Sequence, residues 1–325
     1  MYLPLAAQAR LKHLGLNTRL PEPRDGDWFL AHATDLHVGQ GLKHRDYGMP
    51  GFLDSLEGLT GGVGTQRLNE LIEKLNAVVR EGRKVLVILS GDLTDSGELS
   101  EFMEVRRKLN GLSVPWVPLM GNHDTWPYTS CEDEAPAALG DILMTKVFGD
   151  VFDTLKQYFQ FQGDQRLKPC PDPLSGQVAY LQNFSFSLQG RRFIFLDFNP
   201  RYHVRLNEPG IGPEVCLHAQ DCGTIGFLEK QLQEARKAGA KVTLISHHPP
   251  QVFKIFGKHY AFSRFQKKIL KSLLKRYPGV ADSWLCGHFH RSFRYKVAGV
   301  RVFETGANIG RNGGLVRWFI LNNNN

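Results

Sequence analysis

The sequence predicts an α/β fold built on parallel strands, and two observations predict it. Short apolar runs alternate with amphipathic runs of helical period. Polar clusters stand at the carboxyl ends of several apolar runs, where open α/β sheets place their ligands. The order strand, helix, strand, helix, strand at the start implies parallel neighbours joined by right-handed crossovers.

Each element has its own signal. Trp28 to Thr34 is an apolar run that ends in Asp35, a buried strand. A Gly-rich loop, Gly58 to Gly64, follows. Leu68, Leu71, Ile72, Leu75 and Val79 then recur at helical spacing, and Gly82 stops that helix. Val85 to Leu89 is a second buried strand with Gly91-Asp92 just beyond it. Glu98 to Leu109 reads as a helix, and Trp116 to Met120 as a third strand running into Gly121-Asn122-His123-Asp124.

From Pro127 to Pro173 the rhythm breaks, as in an insertion or cap. It holds a helical piece, Ala137 to Phe161, striped by Leu143, Val147, Val151, Leu155 and Phe159; core packing is the plainer meaning of that stripe. Val178 to Leu188 and Arg192 to Phe198 are strand-like and meet at Gln189-Gly190, a hairpin signal. The long Gly- and Pro-rich loop from Asn199 to Gly223 is of the kind that shapes a site. Thr224 to Ala238 is a helix, with Thr224 as N-cap and Gly239 as stop. The strand Val242 to Ile245 runs into His247-His248-Pro249-Pro250. Phe262 to Tyr277 is a basic amphipathic helix. Ser283 to Cys286 runs into Gly287-His288-Phe289-His290, and Tyr295 to Phe303 and Leu315 to Leu321 close the fold. There is no internal repeat, and residues 1–325 read as a single domain with 127–173 inserted in it.

Composition narrows the function. The 325 residues are 42% hydrophobic and 22% charged, enough for a buried core. No apolar run is long enough to span a bilayer. Residues 1–20 lack the continuous apolar stretch of a signal peptide, so the cytoplasm is the default compartment; export after removal of a leader remains compatible with the sequence. The net charge of +8 favours anionic ligands. Its basic residues are dispersed and no nucleic-acid module is visible, although nucleic acid is not ruled out as a partner. Oligomeric state is not legible. Five cysteines make no disulfide framework. All five as free thiols is the expectation, with Cys216–Cys222 and Cys131–Cys170 as alternatives if the protein is exported. Without a Cys-x-x-Cys pair, a thiolate zinc site is not expected.

Five clusters at strand ends carry the chemistry: Asp35-Leu36-His37, Gly91-Asp92-Leu93-Thr94-Asp95, Gly121-Asn122-His123-Asp124, His247-His248-Pro249 and Gly287-His288-Phe289-His290. They supply carboxylate, amide oxygen and imidazole, which suits Mn, Fe, Zn, Co or Ni. In an extended segment residues i and i+2 point the same way, so Asp35 with His37, and His288 with His290, are each spaced to face one site. Glycine before Asp92, Asn122 and His288 permits a sharp turn after each strand.

In this order the clusters resemble the calcineurin-like metallophosphoesterase superfamily over about Trp28 to Leu321. The His-His-Pro-Pro cluster resembles the branch with bacterial cyclic-nucleotide and glycerophosphodiester phosphodiesterases. The resemblance implies a four-layer α/β/β/α sandwich of two mixed sheets. It implies two divalent or mixed-valence transition metal ions. Asp35, His37 and His290 would hold one, Asn122, His247 and His288 the other, and Asp92 would bridge them. The His-x-Pro pattern selects His247 over His248, which is then a substrate-side or supporting group. Two such ions about 3.5–4 Å apart activate a shared water, so the implied reaction is in-line attack on a phosphoester by a bridging hydroxide. His123 would stabilise or protonate the leaving oxygen, and Asp95 would accept a hydrogen bond from it.

Among substrate-binding candidates, Trp126 and Tyr128 follow His123, and Arg201 lies on the long loop. The implied activity is a phosphodiesterase acting on a small-molecule ester. A phosphomonoesterase or nuclease on the same metal core is the alternative. A catalytically silent protein-binding scaffold ranks lower, because the ligand pattern and His123 are all present.

Overall fold

A computed structural model describes residues 27–40, 63–125, 139–171, 178–201, 215–251, 262–309 and 315–321. In chain order the elements are β1 Trp28–Ala33, α1 Val63–Arg80, β2 Lys84–Ser90, α2 Leu99–Leu109, β3 Trp116–Leu119, α3 Leu139–Leu155, β4 Gln160–Asp164, β5 Cys170–Pro171, β6 Val178–Ala179, β7 Phe184–Leu188, β8 Arg191–Leu196, α4 Thr224–Lys237, β9 Lys241–Ser246, α5 Arg264–Arg276, β10 Ala281–Cys286, β11 Phe293–Val297, β12 Val300–Glu304 and β13 Arg317–Leu321.

Two large sheets organise them. One has the order β13-β1-β2-β3, the other β11-β12-β10-β9-β8-β7-β4, and β5 and β6 form a small ribbon. The expected parallel pairs are β1 with β2 and β2 with β3. Both sheets are mixed, because β13 adds antiparallel to β1 and the β7–β8 and β11–β12 hairpins are antiparallel. In the larger sheet the pleat sorts side chains between two cores. Phe193, Phe195, Ile245 and Leu285 face a core shared with β1, β2, β3 and the helices α1, α2 and α3. Ile194, Leu196, Leu244, Trp284 and Cys286 face a second core closed by α4 and α5. This alternation produces the four-layer sandwich. The inserted segment contributes to it: Phe148 of α3 meets Phe102 and Trp116 edge-on, and Phe152 meets Phe184. No helix among the described residues is long and apolar enough to cross a membrane.

Several local expectations change. The run Tyr295 to Phe303 folds back as the β11–β12 hairpin, because Ala298 and Gly299 adopt φ of 50° and 90°. The helical piece of the insertion stops at Leu155, and Gln160–Asp164 pairs with β7 instead. The N-cap of α4 is Gly223; the Thr224 hydroxyl donates to the Asp197 carbonyl at 2.5 Å. Gln189-Gly190 does make the expected hairpin turn, with φ of 52° and 70°. The cysteine expectation is overturned: Cys170 pairs with Cys222, Cα atoms 5.6 Å apart, while Cys216 and Cys286 stand outside any disulfide. Pairing of β5 with β6 sets Cys170 in a small apolar cluster with Ala179 and Leu181, against which Cys222 packs.

Candidate metal centre

The carboxyl ends of β1, β2, β3, β9 and β10 converge, and the sharp turns after them aim the donors inward. Asp35, His37, Asp92, His288 and His290 all have positive φ, between 43° and 79°. Such backbone is disfavoured for side chains of this size and clusters at functional sites. It corrects the pleat argument for the i, i+2 pairs, which lie in left-handed turns and not in extended chain. Gly121 and Gly287 serve by absence: a Cβ on Gly121 would strike the Asp92 carboxylate, and one on Gly287 would strike Thr34 and Asp35. Of the three glycines, Gly91 alone bends the chain through positive φ, at 100°.

Two donor groups form. His290 Nε2 lies 3.1 Å from His37 Nε2 and 3.4 Å from Asp35 Oδ1. His288 Nδ1 lies 3.1 Å from Asn122 Oδ1 and 3.3 Å from His247 Nε2. Asp92 Oδ2 stands between them, 3.6 Å from His37 Nε2 and 3.1 Å from His247 Nε2. His288 and His290 therefore turn to different groups.

This arrangement fits metal ions. Two ligands at right angles on a cation with bonds of about 2.1 Å are about 3 Å apart, close to the nitrogen separations observed. Tautomers fit as well. His247 Nδ1 donates to the Ser90 carbonyl at 3.0 Å and His37 Nδ1 to Asp95 Oδ1 at 3.1 Å, so in each neutral ring Nε2 presents its lone pair to the centre. The electrostatics agree. Burial opposes charge at Asp35, but the hydrogen bond from His290 and the charge of His247 outweigh it and hold the carboxyl at about 2. Burial likewise opposes a proton on His247, yet Asp92 overrides it and pushes that imidazole up to about 9. The same negative field would hold cations.

His123 sits beside this centre, its ring 4.6 Å from that of His37 and nearly perpendicular to it. Its backbone N–H donates to Asp92 Oδ1 at 3.0 Å, and its Nδ1 donates to the Asp95 carbonyl at 2.6 Å. Asp95 thus accepts from His123 through its main chain, while its carboxylate orients His37. Burial lowers the His123 pKa, with Asp92 pulling against it. Asp124 is a brace: it accepts from the backbone of Leu93, Thr94 and Gly121 and from the Thr94 hydroxyl.

Substrate-side expectations fare differently. Arg201 is 1% exposed, and its guanidinium is committed to Asp197 Oδ2 at 2.6 Å and to Asp141 Oδ1 at 2.9 Å. It ties α3 to the end of β8 and is not available to an ester, which corrects its assignment. His248 is fully buried against His247 and His288. Trp126 and Tyr128 lie outside the described residues. Sequence reasoning missed His32, a buried imidazole 2.8 Å from both Thr305 Oγ1 and Ser90 Oγ. Nothing in its apolar strand marked it, although its even spacing from Trp28 and Leu30 placed it on an inward face.

The model of the calcineurin-like phosphoesterase family matches residues 30–292. No curated protein matches the chain. A dimetal phosphatase from Danio rerio shares the fold, with 13% identity, coverage of 91% of this chain and 93% of that chain, and a TM-score of 0.58. A looser similarity extends to a purple acid phosphatase from yellow lupin seeds, 14% identical, covering 91% of this chain and 46% of that one, with a TM-score of 0.49. With the family match spanning most of its length, the chain belongs to the calcineurin-like phosphoesterases, metal-dependent hydrolases of phosphate esters.

Proposed function

We propose that the protein is a two-metal phosphodiesterase acting on a small-molecule diester. The observation that carries the two-metal reading is Asp92 Oδ2, within 3.6 Å of His37 Nε2 and 3.1 Å of His247 Nε2. One oxygen so placed serves both donor groups. In this reading Asp35, His37 and His290 would hold one ion, Asn122, His247 and His288 would hold the other, and Asp92 would serve both. Such ions, from Mn, Fe, Zn, Co or Ni, supply an activated water and neutralise charge on the phosphoryl oxygens.

The protein's own groups do the rest. Asp95 Oδ1 fixes the His37 tautomer, and the Ser90 carbonyl fixes that of His247. Because Nδ1 of His123 is engaged with the Asp95 carbonyl, any proton His123 exchanges with the leaving oxygen passes through Nε2. The preference for a diester over a monoester is supported by the His-His-Pro-Pro resemblance. The complete donor set speaks against a silent scaffold.

The test is hydrolysis of bis-p-nitrophenyl phosphate against p-nitrophenyl phosphate by chelated protein reloaded with each metal in turn. Metal-dependent, faster cleavage of the diester is expected. Faster cleavage of the monoester would replace this reading with a phosphatase, and no cleavage of either with any metal would count against an active esterase.

A further inference from the structure

His248 has no role in the arrangement so far. It is 0% exposed, and among the described residues neither Nδ1 nor Nε2 has a hydrogen-bond partner. A neutral imidazole carries one donor and one acceptor, and buried polar groups are ordinarily paired. The backbone that carries the ring is anchored: the Ser246 hydroxyl donates to the His248 carbonyl at 2.7 Å, and Trp284 Nε1 donates to the Ser246 hydroxyl at 2.8 Å. The ring is therefore placed, and it is placed against the metal centre. Its centroid is 4.4 Å from that of His288 and 5.0 Å from that of His247. One ring nitrogen from each of His247, His248 and His288 lies within 4.8 Å of the other two.

Burial places His248 among the interior donors. Asp35, His37, Asp92, Asn122 and His247 are all 2% exposed or less, as His248 is. His123 and His288 are half-buried and His290 is exposed. His248 thus shares the depth of the interior donors and lies away from solvent.

We propose that His248 is a third imidazole ligand of the ion held by Asn122, His247 and His288. The inference rests on the two-metal reading and goes beyond its ligand set. It makes the two positions unequal. The ion near Asp35, His37 and His290 has a balanced oxygen and nitrogen set. Its neighbour becomes nitrogen-rich and prefers zinc, iron or nickel to manganese, since imidazole suits the former and oxygen donors the latter.

The test uses the full chain loaded with zinc, as wild type, His248→Ala and His248→Phe; the phenylalanine fills the ring's space without a donor atom. Zinc is titrated off with a competing chelator, and imidazoles per zinc are counted from X-ray absorption. In both variants one of the two ions should leave at roughly tenfold lower chelator concentration or less, and the imidazole count should fall. An unchanged affinity overturns the proposal. So does a weaker affinity with an unchanged imidazole count, which would make His248 a positioning residue. If wild-type protein holds fewer than two ions, the two-metal reading fails and this inference with it.

Discussion

Asp35, His37, Asp92, His288 and His290 show at the scale of single residues how strain and chemistry coincide. Positive φ costs such side chains about 1–3 kcal/mol each, and it points five donors into one place. The sequence made the identities of these residues plain, because Asp-x-His, Gly-Asn-His-Asp and Gly-His-x-His keep their spacing whatever the backbone does. Their conformation was not legible, since left-handed turns in non-glycine residues leave no compositional mark. Nor was the partner of His123, because a backbone carbonyl is offered by every residue. His123→Ala should leave both metals bound and reduce kcat by about 10²–10⁴-fold. Metal analysis with a rate assay checks this, and unchanged turnover would remove His123 from the chemistry.

Elements are tied to the centre by buried polar links that no period reveals. The Arg201 guanidinium joins Asp141 on α3 to Asp197 beyond β8, all three buried. Read from the sequence, an arginine on a long loop suggested substrate, because one of its two partners, Asp141, lies 60 residues away in the chain and is invisible there. Arg201→Ala leaves two buried carboxylates unpaired, and we expect a loss of about 3–5 kcal/mol in unfolding free energy, measured by urea titration. A stable variant with only a raised KM would restore the substrate role. Beneath the centre, His32 links β1 to Ser90 of β2 and to Thr305. Burial, helped by the charge of Arg317, holds its pKa down at about 3. The unfolded chain binds a proton at His32 below pH 6.5 and the native state does not until about pH 3, so stability falls as pH drops through that window. In metal-free protein the wild type should lose up to about 1.4 kcal/mol per pH unit more than His32→Gln between those limits. Parallel stability profiles of the two proteins would contradict this.

Across the whole molecule, the site exists because two sheets present their strand ends together. β1, β2 and β3 bring Asp35, His37, Asp92 and Asn122, while β9 and β10 bring His247, His288 and His290. The rhythm of strands and helices and the clusters at strand ends were legible because apolar runs and their polar stops are local. The Cys170–Cys222 bond was not, since it depends on how β5 and β6 place the inserted segment against the loop before α4, a matter of packing over 52 residues. The central claim is that a single carboxylate, Asp92, joins the donors of both sheets around two ions. It is tested most directly by counting metals in wild-type protein and in Asp92→Ala after equal loading and desalting. Two ions in the wild type and at most one in the variant are expected, and retention of both by Asp92→Ala at full occupancy would contradict the account.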